Sequence, residues 1–462
     1  MNQITLNYKD ISSLKSVELF NVPENIQITN ISIDTRTITK GSLYAAIEGE
    51  NFDGHNFVKE AITKGASVVV VSKEGIGKLN LGKTPCICVP NTTKALGELA
   101  SLWRGKFNGR VIAITGSNGK TTTKEIIYSI FSQRYNTHAT TKNYNNHIGV
   151  PLTIFSASNE NKYLVIEMGT NHPGEIAYLS GIARPHIGVV TNIGSSHLEF
   201  FGTQRGILKE KSVLLDYTSK NGGKVFVNAD DKFLKSLCKE YDSAVSYGTK
   251  KSSDVHGKIK GYDKWGFPKI VLEGFDKHIE VTTPIYGKNN AQNIICASAI
   301  ALSEGLSKHD IIAGVKVLQN PKQRLEPTEF HKGLLLDDTY NANPESMLSA
   351  FDVLRNIKAY KNRWLVLGDM RELGSTSSKL HKSLAVALMK IPDIRVLTIG
   401  DEMYELFKEL KKYYVPVWHA QDREMMRQNI AESDFSHSVV LVKGSRSMRM
   451  EEFVAAILEK QS

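Results

Sequence analysis

Four cysteines in 462 residues leave little scope for a disulfide framework, and Cys86, Cys88, Cys238 and Cys296 contain no Cys-x-x-Cys pair. Their scatter argues against a structural zinc and fits a reduced compartment, so they read as small buried apolar side chains. No apolar run is long enough to span a bilayer. The opening Met-Asn-Gln-Ile-Thr-Leu-Asn-Tyr-Lys-Asp has no basic region ahead of an apolar stretch. Both absences predict a cytoplasmic location without membrane insertion. A dense basic block and a patch of interleaved aromatics are missing too, because Lys and Arg are spread along the whole chain. The formal charge of +10 therefore predicts no nucleic-acid partner and fits anionic small substrates or a solvated surface. Internal repeats and low-complexity segments are also absent.

What is present is a chain too long for one ordinary core, with 41% hydrophobic residues, which predicts two or three domains. Near-continuous apolar strands recur at Tyr163 to Glu167, Ile187 to Thr191 and Lys224 to Asn228. They recur again at Leu334 to Asp338, Trp364 to Asp369, Val396 to Asp401 and Val439 to Lys443, with helical sequence between them. That pattern predicts doubly wound parallel sheets whose ligands sit beyond the carboxyl ends of the strands. The fold class expected is α/β with three domains: a small α+β unit over 1–106, a central phosphate-loop domain over 107–320 and a Rossmann-like domain over 321–462. The second boundary is set by Asn320-Pro321-Lys322-Gln323-Arg324, where a proline among polar residues follows helical sequence.

The most informative segment is Val111-Ile-Ala-Ile-Thr-Gly116-Ser-Asn-Gly119-Lys120-Thr121-Thr122-Thr123, a short strand, a glycine loop, a lysine and a run of threonines opening a helix. Backbone N–H groups and the positive end of a helix suit phosphate oxygens, a lysine adds charge, and a threonine hydroxyl can hold Mg²⁺. Gly116, Ser117, Asn118, Gly119, Lys120, Thr121 and Thr122 thus read as a cradle for ATP or GTP. The usual signature has its first glycine five residues before the second, and here that position is Ile114.

Other polar residues fall at strand ends. Glu167 is placed to bind Mg²⁺ beside a phosphate loop, and His197 stands at the same edge. Lys209 and Lys211 have helical spacing, from which periodicity alone assigns no function. Asn228-Ala-Asp230-Asp231 reads equally as a nucleotide contact or a turn. Asn290 and Asn293 open a helix, where one cap is the simpler reading and two are not. Asp337-Asp338-Thr339-Tyr340-Asn341-Ala342-Asn343-Pro344 and Lys443-Gly444-Ser445-Arg446-Ser447 are polar loops better suited to ligand contact than to plain connection.

In this order the segments closely resemble the Mur ligases of peptidoglycan synthesis, across essentially the whole chain. The likeness runs through Ser32-Ile-Asp34-Thr35-Arg36, Gly54-His55-Asn56-Phe57, the loop at 115–121 and Asn145-Asn146-His-Ile-Gly149. It continues through Glu167-Met-Gly-Thr-Asn-His-Pro-Gly-Glu175, Ser196-His197-Leu-Glu, Asp338-Thr-Tyr-Asn-Ala-Asn-Pro344, Gly368-Asp-Met-Arg-Glu-Leu-Gly374 and Val442-Lys-Gly-Ser-Arg446. The Asp338 and Lys443 segments point to the member that adds D-alanyl-D-alanine to UDP-N-acetylmuramoyl-tripeptide. One departure is Asn289, where the family often has His.

The resemblance implies two Mg²⁺ sites, with Thr121, Glu167, His197 and Lys211 as ligands, Lys211 being carbamylated. Lys120, His197 and Lys211 would act in catalysis. Asn290, Asn293, Arg324 and Asp338 would contact ATP. Substrates would meet Asp34, Thr35, Arg36, Asn145 and Asn146, with Tyr340, Asn341, Asn343, Lys443, Ser445 and Arg446 on the C-terminal loops. Joining a carboxylate to an amine requires an acyl phosphate route, and a phosphate donor and acceptor held by different domains predict closure of the C-terminal domain over the loop; a monomer is expected. Rivals are a folylpolyglutamate synthase, a lipid II amidotransferase subunit, whose four-cysteine zinc ribbon the cysteine positions exclude, a regulatory phosphate-loop NTPase and a basic nucleic-acid-binding module.

Overall fold

The structure, a computed structural model, describes residues 4–49, 52–77, 79, 82–194, 198–330 and 332–460. Its strands are where continuous β-branched and aliphatic runs put them. Val68, Val69, Val70 and Val71 are all buried in the strand Ala66–Ser72, which lies within a five-stranded sheet of the N-terminal region. A second sheet has nine strands in the order Thr137–Ala139, Tyr163–Glu167, Arg110–Thr115, Ile187–Val190, Lys224–Asn228, Ala244–Gly248, Val255–Tyr262, Pro268–Gly274 and Lys277–Thr282. The third has six, in the order Glu326–Phe330, Gly333–Asp338, Ser438–Lys443, Asn362–Gly368, Ile394–Ile399 and Val417–Ala420.

Arg110–Thr115 and Thr137–Ala139 pair parallel to Tyr163–Glu167, whose five residues are all buried, as a strand covered on both faces requires. Wholly parallel sheets were expected, and the structure differs at the edges. Val255–Tyr262, Pro268–Gly274 and Lys277–Thr282 form an antiparallel ribbon, and Glu326–Phe330 joins the six-stranded sheet antiparallel to Gly333–Asp338. These strands alternate buried and exposed residues because one face meets water.

By contact density the chain forms two compact units. The first comprises Met1–Thr115, Tyr135–Val189 and Glu210–Val225; the second comprises Gly116–Arg134, Val190–Lys209 and Phe226–Ser462. In the first, a core joins Leu43, Val68 and Ile87 to Leu96, Trp103, Val111, Leu164 and Leu179. In the second, Leu336, Leu365, Val396 and Leu441 pack with Met347, Phe351 and Leu406 under the helices Pro344–Asn356 and Met403–Lys412. The chain passes from the first unit to the second after Thr115 and Val189, at the carboxyl ends of two strands, and after Val225, inside the strand Lys224–Asn228.

Candidate active site

In the second unit, the glycine loop leaves the strand Arg110–Thr115 and opens the helix Lys120–Phe131. Gly116 has φ +149°, and a Cβ there would lie 1.9 Å from Thr191 Oγ1. Gly119, at φ +81°, is the N-cap, and no side chain caps the helix, so its first N–H groups keep no side-chain acceptor. Asn118 is held on three sides: its N–H donates to Asn192 Oδ1 at 2.9 Å, and its carbonyl accepts from Thr191 Oγ1 at 2.6 Å and Asn192 Nδ2 at 3.0 Å. Lys120 Nζ turns back to the Gly116 carbonyl at 2.8 Å. The Ser117 hydroxyl is buried with no hydrogen-bond partner among the described residues. A rigid loop with uncapped helix N–H groups, a lysine and an unpartnered hydroxyl suits phosphate oxygens.

In the first unit, Glu167 ends its strand 2% exposed. Thr140 Oγ1 accepts its N–H, Asn145 Nδ2 donates to Oε1 at 2.8 Å, and Oε2 is buried with no partner among the described residues. A buried carboxylate with one oxygen left over is a donor set for a hard cation that takes its other ligands from phosphate and water. Asn146 faces away from that role, accepting the N–H groups of Ile148 and Gly149 at the start of the helix Gly149–Ser156. Lys211 is 1% exposed on the helix Gln204–Lys220. Its neighbour Glu210 accepts from the N–H groups of Gly174 and Ile176 at 2.8 and 2.9 Å, and from Thr170 Oγ1 at 3.4 Å. Asp34 and Arg36 are engaged with each other at 2.6 Å, and Arg36 N–H donors hold the Asp34 carboxyl down at about 2. Thr35 points inward, donating to Glu60.

Back in the second unit, Lys443 is buried, paired with Asp338 at 2.7 Å and donating to the Asn341 carbonyl at 3.0 Å. Any part it has in recognition runs through those two. Arg324 lies over the Tyr340 ring at 4.2 Å from its centroid. Ser445 Oγ accepts the Arg371 N–H, and exposed Arg446 donates to Gln323 and pairs with Glu451. Asn343 caps the helix Pro344–Asn356 and donates through Nδ2 to Asn118 Oδ1 of the glycine loop at 2.9 Å. Neither Asn290 nor Asn293 caps its helix. Asn290 donates to the Tyr286 carbonyl, while Asn293 stands where a Cβ on Gly119 would meet its Oδ1 at 2.8 Å. Asp230 accepts the N–H of Thr249, and Asp231 those of Ile193, Phe233 and Leu234, the bonding pattern of a turn.

His197 lies outside the described residues. Among the described residues no group of three or more His, Cys, Asp or Glu side chains is set to hold a metal ion, and no helix is long and apolar enough to cross a membrane. Sequence reasoning missed Thr191, Asn192 and Glu210. The first two carried a signal, a polar pair closing an apolar strand; Glu210 carried none, since an acid on an amphipathic helix ordinarily faces water.

Three family models match in sequence order. They are described as "Mur ligase family, catalytic domain" over residues 27–104, "Mur ligase middle domain" over 114–301 and "Mur ligase, glutamate ligase domain" over 323–446. A relative from Haemophilus influenzae, named UDP-N-acetylmuramoyl-tripeptide--D-alanyl-D-alanine ligase, is 34% identical over 457 residues, covering 95% of each chain. A crystal structure of MurF from Acinetobacter baumannii matches with TM-score 0.88 at 30% identity, covering 99% of this chain and 100% of that one. That of MurF ligase from Thermotoga maritima in complex with ADP matches with TM-score 0.82 at 28% identity, covering 94% and 97%. With three family models in order and a relative matched over 95% of its length, the chain belongs to the Mur ligase family.

Proposed function

We propose that this chain is an ATP-dependent ligase that joins D-alanyl-D-alanine to UDP-N-acetylmuramoyl-tripeptide, giving the pentapeptide precursor of peptidoglycan with ADP and phosphate. The observation that carries it is the likeness, along all three segments of the chain, to relatives bearing that name. In this reading residues 1–106 take the UDP end of the substrate, 107–320 bind ATP and 321–462 receive the dipeptide, in a monomer acting in the cytoplasm.

A carboxylate does not condense with an amine in water at a useful rate. The tripeptide's terminal carboxylate therefore first takes the γ-phosphoryl group of ATP, releasing ADP. The amine of the dipeptide then attacks the acyl phosphate carbonyl, and phosphate leaves with the electron pair of the broken C–O bond. Negative charge gathers on oxygens in both steps, so positioned donors do most of the work and no nucleophilic side chain is needed. Lys120, Ser117 and the N–H groups from Gly119 onward hold the phosphates. Thr121 and Glu167 are proposed as ligands of one Mg²⁺, and Glu167, His197 and carbamylated Lys211 of a second; when bound, Mg²⁺ neutralises phosphoryl charge. Arg324, Asp338, Asn290 and Asn293 are assigned to ATP. Asp34, Thr35, Arg36, Asn145 and Asn146 are assigned to the UDP-linked substrate, and Tyr340, Asn341, Asn343, Lys443, Ser445 and Arg446 to the C-terminal side of the cleft.

Mass spectrometry of the product from ATP, D-alanyl-D-alanine and a defined UDP-muramoyl tripeptide tests the reading. A pentapeptide is expected; ADP with no pentapeptide would overturn it. Carbamylation has its own test, since the neutral Lys211 amine adds carbon dioxide with loss of one proton and becomes a buried anion. Lys211→Ala should lose roughly 100-fold or more in kcat and regain part of it with short-chain carboxylic acids, and the unmodified protein should carry one labile 44 Da adduct, the mass of carbon dioxide, in native mass spectra. Absence of both the rescue and the adduct would refute the carbamate.

A further inference from the structure

Just past Glu167 the chain reaches Gly169, whose N–H donates to the Asn145 carbonyl at 2.8 Å, and there a cavity of about 230 Å³ opens in the first unit. Asn146, His147, Gly169, Glu175, Tyr178 and Leu179 are among the residues lining it. The consecutive residues Tyr178 and Leu179, within the first two turns of the helix Glu175–Ala183, supply apolar surface. Glu175 supplies the carboxylate. Its Oε2 accepts the N–H groups of Asn171 and His172 at 2.7 and 3.1 Å, which fixes the group, and Oε1 stands 3.6 Å from His172 Nδ1. Burial opposes ionisation, yet those two N–H donors hold Glu175 below the ordinary glutamate range, so it is anionic at neutral pH. An apolar wall beside a fixed, half-buried anion is complementary to an aliphatic stem that ends in a cation.

We propose that this cavity receives the side chain of the third peptide residue and that Glu175 selects one ending in an ammonium group. The inference rests on the proposed function: the third residue carries the carboxylate to be activated, that carboxylate has to come close to Glu167, and its side chain branches from the adjoining carbon. The Asn145–Glu167 bond and the Gly169–Asn145 bond join the two places through a few atoms. Lysine and diaminopimelate both present an ammonium, and diaminopimelate adds a carboxylate beside it, so the two are separate arms of the test.

The experiment is kcat/KM for UDP-muramoyl tripeptides ending in lysine, in diaminopimelate and in norleucine, which is lysine without its ammonium. At least one of the two cationic substrates should exceed norleucine by about tenfold or more, the scale of a charge-assisted hydrogen bond at a half-exposed site. In Glu175→Gln the amide oxygen still accepts from Asn171 and His172, and the ratio should fall to within roughly twofold of unity. A Glu175 that only shapes the loop would lower all three substrates together and leave the ratio alone, which overturns the proposal, as does norleucine matching both cations in the unaltered enzyme. Turnover of none of the three would sink the ligase reading and the inference with it, whereas turnover without discrimination sinks the inference alone.

Discussion

At the scale of single residues, the glycine loop depends on two positions that tolerate no side chain. A Cβ on Gly116 would sit 1.9 Å from Thr191 Oγ1, the hydroxyl that anchors the Asn118 carbonyl. Its φ of +149° is strained for any L residue. Gly116→Ala should therefore lose about 100-fold or more in kcat/KM for ATP through a misplaced loop. Circular dichroism should still show the native α/β signature; activity within a few fold of the unaltered enzyme would contradict the role given to this loop. Sequence spacing was enough to read the loop, because strand, glycines and lysine are local. It was not enough to find Thr191 and Asn192, which lie more than seventy residues away and reach the loop through the sheet order. Glu167 was legible for the same local reason, an acid closing an apolar strand, while its unpartnered oxygen needed the fold to be seen.

Among the elements, the helix Gln204–Lys220 does more than carry Lys211. Glu210 clasps the segment from Thr170 to Ile176 through two backbone N–H groups and a hydroxyl, at 7% exposure. In Glu210→Gln one acceptor remains and an amide N–H₂ faces a donor. The variant should lose about 1–3 kcal/mol of stability in urea unfolding, with kcat reduced because Lys211 is the next residue on the same turn; an unchanged midpoint would show that the clasp is idle. Periodicity gave the middle of this helix, around Lys209 and Lys211, and apolar runs gave the strands Tyr163–Glu167 and Lys224–Asn228 with the bounds observed. It passed over the antiparallel ribbon of Val255–Tyr262, Pro268–Gly274 and Lys277–Thr282, where alternation interrupted by Lys, Gly and Asp offers no continuous apolar run.

For the molecule as a whole, the two chemical steps have to be coupled, since an acyl phosphate left waiting is lost to water. Phosphate release from ATP should stay at background when either the UDP-muramoyl tripeptide or the dipeptide is withheld, and RNA or DNA should leave it unaltered. Steady release with ATP alone would favour a regulatory NTPase. The three-domain fold was legible from the order of motifs, yet how contact density divides the chain was not, because that depends on packing between distant strands. The chain moves between the two compact units five times, at 115/116, 134/135, 189/190, 209/210 and 225/226. No single cut in the gene can then separate the two units: a truncation meant to keep either one carries away strands or loops of the other. Chimeras between relatives should succeed only when whole interleaved blocks are exchanged together, which makes this region inherit as one piece.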